Sequence, residues 1–324
     1  MEDAAIAVGK QVRAGRPSGR RGVGYAVSAL VLIVVLAGMD ILLLNIKNPA
    51  QVLGHHYYLA LGDSISFGYQ PNLNFSDGFV DQVFAELQKA NITDLTDYAC
   101  AGDSSTTMIQ GDCPGRLIKH DAYTGPQLTA ALDFIGQHRG QVSPITLEIG
   151  SNDVLPDFDS TSCTASDHAT ADLATLDANL TQTIFPQLLG NLTSVAGPAV
   201  TNLYLLNYYN PFAKQCPDST RFAHTLNDHL AADAAKFKIP VVDIYGAFGG
   251  DDHQADHICD YTWVCNAQYN HDFHPTTLGY SVIAATVERA LGYPGIGPSR
   301  LPIHDVNPPI QSGPSQAALR STWA

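Results

Sequence analysis

Four short stretches of the chain deliver a reactive or hydrogen-bonding residue just after an apolar run. In "HYYLALGDSISFGY" (His56–Tyr69) a strand-like run ends at Gly62-Asp63-Ser64. A serine hydroxyl is a weak nucleophile and needs a neighbouring base. At the end of a central strand it would stand exposed at the sheet edge, with its own N–H free to face a substrate oxygen. "NHDFHPTTLGYSV" supplies a candidate base, His274, held before Pro275. The pre-proline position disfavours helix, and Thr276 or Thr277 can cap the helix that follows. "PITLEIGSNDVLP" runs into Asn152, a side-chain amide, and "YACAGDSSTTM" offers the backbone N–H of Gly102. Ester hydrolysis builds negative charge on the carbonyl oxygen, and a preorganised donor there is worth about 3–4 kcal/mol. Ser64 N–H, Gly102 N–H and the Asn152 amide could form such a hole. Taken singly, each of these residues also fits an ordinary turn or cap.

These residues need a scaffold that gathers strand ends. Strand candidates lie near 56–61, 144–149, 201–206 and 240–244. Between them run helical patterns: "DGFVDQVFAELQKA", with Val80, Val83, Phe84 and Leu87 on one face, and "GPQLTAALDFIGQH", with Pro126 in its first turn. "ATADLATLDANLTQTIF", "RFAHTLNDHLAADAAKF" and "TLGYSVIAATVERAL" keep the same period. Strands alternating with helices predict βαβ units and a mainly parallel sheet covered on both faces. Such sheets bind ligands at the carboxyl ends of their strands, where Ser64 should lie.

The formal net charge is -14 over 324 residues, which argues against nucleic acid as a partner. The charge is uneven: six basic and three acidic residues precede Asn48. Within that head, "GVGYAVSALVLIVVLAGM" (Gly22–Met39) is uncharged and "ILLLNI" follows Asp40. A run of this kind is long enough to span a bilayer, which takes about 20 residues. The preceding basic residues predict a cytoplasmic N-terminus and a body outside. Cleavage as a secretory signal after Val35-Leu36-Ala37 is the rival, though it would leave an apolar new terminus. The expected organisation is a basic cytoplasmic segment 1–21, a transmembrane signal-anchor 22–46, a catalytic domain 48–294 and a Pro/Gly/Ser-rich tail 295–324. Six cysteines (Cys100, Cys113, Cys163, Cys216, Cys259, Cys265) suit an oxidising compartment. They allow 15 pairings, among which sequence alone does not choose, although proximity favours Cys100–Cys113 and Cys259–Cys265. "DDHQADHICD" (Asp251–Asp260) reads as an acidic surface loop near a disulfide rather than as a metal site.

Together the blocks "GDSISFGY", "ACAGDSS", "IGSND" and "HDFHPTTLGY" resemble the SGNH/GDSL hydrolase superfamily, named for Ser, Gly, Asn and His in this order. The resemblance implies a three-layer α/β/α, flavodoxin-like fold, here preceded by one transmembrane helix. It implies a serine esterase or lipase that hydrolyses small-molecule or lipid esters through an acyl-serine, with no metal or other cofactor. Ser64 would be the nucleophile, His274 the base, and Ser64, Gly102 and Asn152 the oxyanion hole. The cysteine layout resembles the secreted bacterial branch, which implies Cys100–Cys113, Cys163–Cys216 and Cys259–Cys265. A carbohydrate O-acetyl esterase acting on cell-wall glycans is the same fold's other reading. An inactive surface binding module is the reading from a different class.

One departure affects the third triad member. The family's acid usually stands three residues before the histidine, where this chain has His271; Asp272 is two before. In an extended loop Asp272 could still reach the imidazole. The His271 backbone carbonyl is the alternative acceptor and is the one favoured here, because it keeps the loop geometry around His274-Pro275.

Overall fold

The structure is a computed structural model and describes residues 54–196 and 203–292. The expected membrane segment 22–46 and the tail from 295 lie outside the described residues. Among those described, no helix is long and apolar enough to cross a membrane.

The first strand, β1 (Tyr57–Gly62), carries Tyr58, Leu59, Ala60 and Leu61, all fully buried. β2 (Asp94–Asp97) and β3 (Val142–Glu148) pair with it in parallel on either side, so β1 is interior. A two-stranded hairpin follows, β4 (Phe158–Asp159) against β5 (Thr164–Ala165). β6 (Leu203–Leu206) and β7 (Val241–Val242) extend the main sheet, giving the order β2-β1-β3-β6-β7. All its pairings are parallel. Parallel neighbours require crossover segments, and most of the helices provide them.

In chain order the helices are α1 (Phe79–Leu87), α2 (Ser105–Gln110), α3 (Gln127–Gln137), α4 (Ser151–Val154), α5 (Ala169–Asn179) and α6 (Phe185–Ala196). Then come α7 (Ser219–Lys236), α8 (Ile244–Ala247), α9 (Gly250–Tyr261) and α10 (Thr277–Leu291). α1 packs with α10, while α3 packs with α6 and α5 with α7. The predicted face of α1 is seated as expected: Val80, Val83 and Leu87 are buried and Phe84 half-buried against the core. Pro126 is the N-cap of α3 rather than part of its first turn, because its ψ of 140° is extended.

Two stretches differ from expectation. "DDHQADHICD" is not a loop but most of α9. Asp251 and Asp252 fall in its first turn, where carboxylates favour the helix dipole. Gln254 and Ile258, four apart, form its buried face. The β4–β5 hairpin had no periodic signal, since strands of two residues carry none. The disulfides are Cys100–Cys113, Cys163–Cys216 and Cys259–Cys265, the pairing implied by the resemblance.

The strand order places a switch point between β1 and β3, because the chain leaves β1 to one side and returns to the other. There the two strands close tightly: Asp63 N–H donates to the Glu148 carbonyl at 3.0 Å. Gly62 sits at φ 133°, and a Cβ on it would lie 2.0 Å from that same carbonyl oxygen. Gly62→Ala is therefore expected to cost on the order of 3 kcal/mol or more, through both backbone strain and collision. Thermal and urea unfolding would show it; a variant as stable as the parent would mean that β1 and β3 can separate here.

Candidate active site

β1 ends at Gly62, and the chain turns so that Ser64 rests at the sheet's carboxyl edge, only 8% exposed. The turn is held from all sides. Asp63 is fully buried; its Oδ1 accepts Ile65 N–H at 2.9 Å, and its Oδ2 accepts the hydroxyls of Ser151 and Tyr208, each at 2.8 Å. Gln127, the first residue of α3, accepts Gly62 N–H at 2.7 Å and donates back to Gly62 O at 2.9 Å and to Asp103 at 2.8 Å.

His274 arrives from the far end of the domain. Its loop is pinned by Trp263 N–H on the His274 carbonyl at 3.0 Å, and by the Tyr209 hydroxyl on the Phe273 carbonyl at 2.8 Å. Tyr69 lies against the imidazole, with ring centroids 4.5 Å apart. His274 Nε2 is 2.7 Å from Ser64 Oγ. Its Nδ1 is 2.8 Å from Asp272 Oδ1, which also accepts His274 N–H at 2.9 Å. The acceptor at Nδ1 is thus the Asp272 carboxylate and not the His271 carbonyl favoured from sequence. Asn270 and His271 are both left-handed, at φ 56° and 57°, so the turn is complete before Asp272, whose Oδ1 is then fixed on His274 by both the backbone and the ring N–H. Burial pushes the Asp272 carboxyl up, but the charge of His274 and its two hydrogen bonds outweigh this and hold it below its ordinary value.

Gly102 and Asn152 come from the two neighbouring strand ends. Gly102 follows Cys100 and Ala101 at φ 83°. Cys100 N–H is bonded to Gly62 O at 3.0 Å, and the Cys100–Cys113 disulfide braces the same turn. Asn152, in the first turn of α4, donates one amide hydrogen to the Asp103 carbonyl at 2.9 Å. That bond ties the Gly102 and Asn152 blocks together and leaves the second amide hydrogen available.

Beside Ser64 opens a cavity of about 510 Å³, its mouth included. Tyr208, Phe212, Phe222 and Leu226 are among its walls, and no charged residue lines it. The sequence reading missed these residues, and also Gln127. Gln127 carried a signal: it occupies the buried stripe of its helix with Leu128, Ala131 and Ile135, where a polar residue needs a partner. The aromatic wall carried none, because its members are scattered over a loop and α7. His224, Asp251 and Tyr245 form a surface cluster by hydrogen bonds, but no group of three His, Cys, Asp or Glu among the described residues could hold a metal.

Residues 60–282 match the model of the GDSL-like lipase/acylhydrolase family. The chain belongs to this family and is an ester-hydrolysing serine hydrolase. No curated protein matches it. Among solved structures it is similar to a lipase from a goat rumen metagenome, with 21% identity, 74% of this chain and 99% of that one covered, and a TM-score of 0.49. An acetylxylan esterase from Geobacillus stearothermophilus matches at 17% identity, with 76% and 97% covered and a TM-score of 0.49. A phospholipase A1 from Streptomyces albidoflavus matches at 20% identity, with 72% and 99% covered and a TM-score of 0.46.

The same region of the domain holds a group of buried acids, among them Asp63, Asp103 and Glu148. Asp103 is pushed up to about 7, chiefly by burial, with the Thr107 bond opposing and the Asp63 charge adding. Glu148 is completely buried and neither carboxyl oxygen has a hydrogen-bond partner. Burial, aided by the charge of Asp63, raises it well above its ordinary value. The unfolded chain releases this proton above its ordinary pKa of 4.5, while the fold retains it. The unfolded state then binds fewer protons, so stability falls as pH rises above that value. Glu148→Gln keeps the shape and has no proton to lose. Its stability advantage over the parent is expected to grow as pH rises above 4.5, by roughly 1 kcal/mol per unit while the folded parent keeps the Glu148 proton. Urea unfolding at several pH values measures this; a pH-independent difference would show that Glu148 is ionised in the fold.

Proposed function

We propose that the protein is an exported esterase that cleaves carboxylic esters with an apolar substituent through an acyl-Ser64 intermediate. The observation that carries this reading is the continuous chain Ser64 Oγ–His274 Nε2 at 2.7 Å and His274 Nδ1–Asp272 Oδ1 at 2.8 Å. In the resting state Nδ1–H donates to Asp272, which leaves Nε2 as the acceptor of the Ser64 proton. Ser64 Oγ attacks the ester carbonyl as that proton passes to Nε2. Negative charge grows on the carbonyl oxygen, where Ser64 N–H, Gly102 N–H and the second Asn152 amide hydrogen stabilise it. The tetrahedral intermediate collapses, breaking the bond to the alcohol oxygen, which takes the proton from Nε2. Water deprotonated by His274 then attacks the acyl-Ser64, and the acid leaves with the serine regenerated. Asp272 orients the imidazole and stabilises its cationic form.

The wall composition supports an apolar group in the cavity over a glycan, because aromatic and aliphatic side chains offer few partners to sugar hydroxyls. Two sequence features support placement outside a membrane: the basic head before the apolar run 22–46, and the even set of cysteines. On this reading 22–46 stays as an anchor.

Ser64→Ala is expected to lower kcat by at least about a thousandfold, and Asp272→Asn by up to about ten-thousandfold, both with an unchanged circular dichroism spectrum. Hydrolysis of p-nitrophenyl esters, beside acetate release from an acetylated polysaccharide, tests both variants and the substrate class. More than a tenth of activity remaining in Ser64→Ala would remove it as nucleophile. A loss under tenfold in Asp272→Asn would return the orienting role to a backbone group.

For the anchor, the full chain is expected to stay with membranes after alkaline carbonate washing. Deletion of 1–47 is expected to release active enzyme. Recovery in the wash of a chain shortened at its N-terminus would favour cleavage.

A further inference from the structure

The cavity beside Ser64 is not symmetric about the nucleophile. Ser64 and Ser151 border it, and the histidine loop reaches it through Phe273, whose ring stacks on the imidazole at 4.8 Å, while the His274 ring itself is not among its walls. The departing alcohol oxygen must meet His274 Nε2 to be protonated, so the alcohol lies on the histidine side. The group left for the cavity is the acyl chain. Its walls hold no charge, which suits an aliphatic acyl group.

What limits the cavity lies one layer behind its wall. Phe158 is not a lining residue, but its ring stacks on Phe212 with centroids 4.8 Å apart and lies tilted against Phe222 at 5.0 Å. Both of those rings face the cavity. Phe158 sits on the β4–β5 hairpin, which is fixed at both ends. At its base Ser166 N–H donates to the Asp157 carbonyl at 2.7 Å. At its turn Cys163 is joined to Cys216, and Cys216 N–H is bonded to the Phe212 carbonyl at 2.7 Å. The hairpin is therefore a strap that presses one phenyl ring against the backs of two wall rings and is bonded covalently to the segment that carries one of them.

We propose that Phe158, held by this strap, is a specificity-determining residue that sets the length of acyl chain the enzyme accepts. The inference rests on the esterase reading above and adds the direction of the substrate and the residue that measures it. Removing the Phe158 ring gives Phe212 and Phe222 room to swing outward and deepens the cavity on the acyl side only. Phe158 touches none of the reacting groups, so hydrolysis of acetate esters needs no part of it.

The test uses the full-length enzyme and two ester series. One lengthens the acyl chain of p-nitrophenyl esters, and the other lengthens the alcohol of acetates. Each buried methylene is worth about fourfold in kcat/KM. In Phe158→Ala the preferred acyl chain is expected to lengthen by about two to four carbons, raising kcat/KM for a long ester relative to acetate by at least about tenfold. The alcohol series is expected to keep its profile. Phe158→Leu, which keeps more of the packing, is expected to shift the acyl profile in the same direction by less, and it carries the test if the alanine variant does not fold. An unchanged acyl profile in a folded variant would overturn the proposal, as would a shift confined to the alcohol series, while leaving the esterase reading intact. Absence of turnover of every ester by the parent enzyme would overturn that reading itself.

Discussion

The structure depends on one contact between residues 210 positions apart, Ser64 Oγ against His274 Nε2 at 2.7 Å. Neither group can find the other without the whole sheet. β1 must be interior, so that its end is a fixed point. α10 must pack against α1, which follows the nucleophile turn, so that the loop before it reaches back over β1. The hydrogen bonds from Trp263 and Tyr209 then set the histidine loop to the depth of the serine. Many of the polar residues buried near the site serve this alignment. Gln127 joins the Gly62 and Asp103 segments, Asn152 joins α4 to Asp103, and Asp63 joins the nucleophile turn to Ser151 and Tyr208.

The alignment carries a cost in buried charge. Asp63, satisfied by three donors, is still raised by its burial, because desolvation exceeds what those bonds return. Glu148 has no hydrogen-bond partner for either oxygen, and burial, with the charge of Asp63, raises it well above its ordinary value. Three tyrosine hydroxyls from this region reach the parts that form the site: Tyr208 to Asp63, Tyr209 to the Phe273 carbonyl, and Tyr280 to the Tyr69 carbonyl. A polar interior below a site holds loops by directional bonds, where apolar packing alone would let them slide. Local instability at such places is the usual consequence of function.

Much of this was legible in the sequence wherever a period or a fixed neighbour relation governs structure. The alternation of strands and helices predicted the layered sheet, and the pre-proline histidine followed by Thr276 predicted a loop entering a helix. Residues whose role depends on tertiary neighbours were not legible. Phe158, Phe212 and Phe222 meet only because a disulfide and a short hairpin bring a strand, a loop and α7 together. The acidic segment 251–260 was read as a loop because its charge hid a four-residue spacing of buried Gln254 and Ile258.

The partner of His274 Nδ1 shows the same limit at the scale of five residues. Counting positions back from His274 assumes a backbone of known shape: an extended loop allowed Asp272, and keeping the geometry around His274-Pro275 favoured the carbonyl of His271. Asn270 and His271 instead turn left-handed in succession, a conformation that asparagine tolerates better than most residues and histidine more than a branched side chain. That turn lies before Asp272, and the two-residue step from Asp272 to His274 is itself enough for the carboxylate to reach the ring at 2.8 Å. Once there, a single oxygen of Asp272 accepts both the backbone and the ring N–H of His274. The first bond fixes the loop and the second fixes the tautomer, so the carboxylate that orients the base also builds the turn that brings it into reach. A carbonyl at the same place could accept the ring proton but carries no full charge to balance a protonated His274.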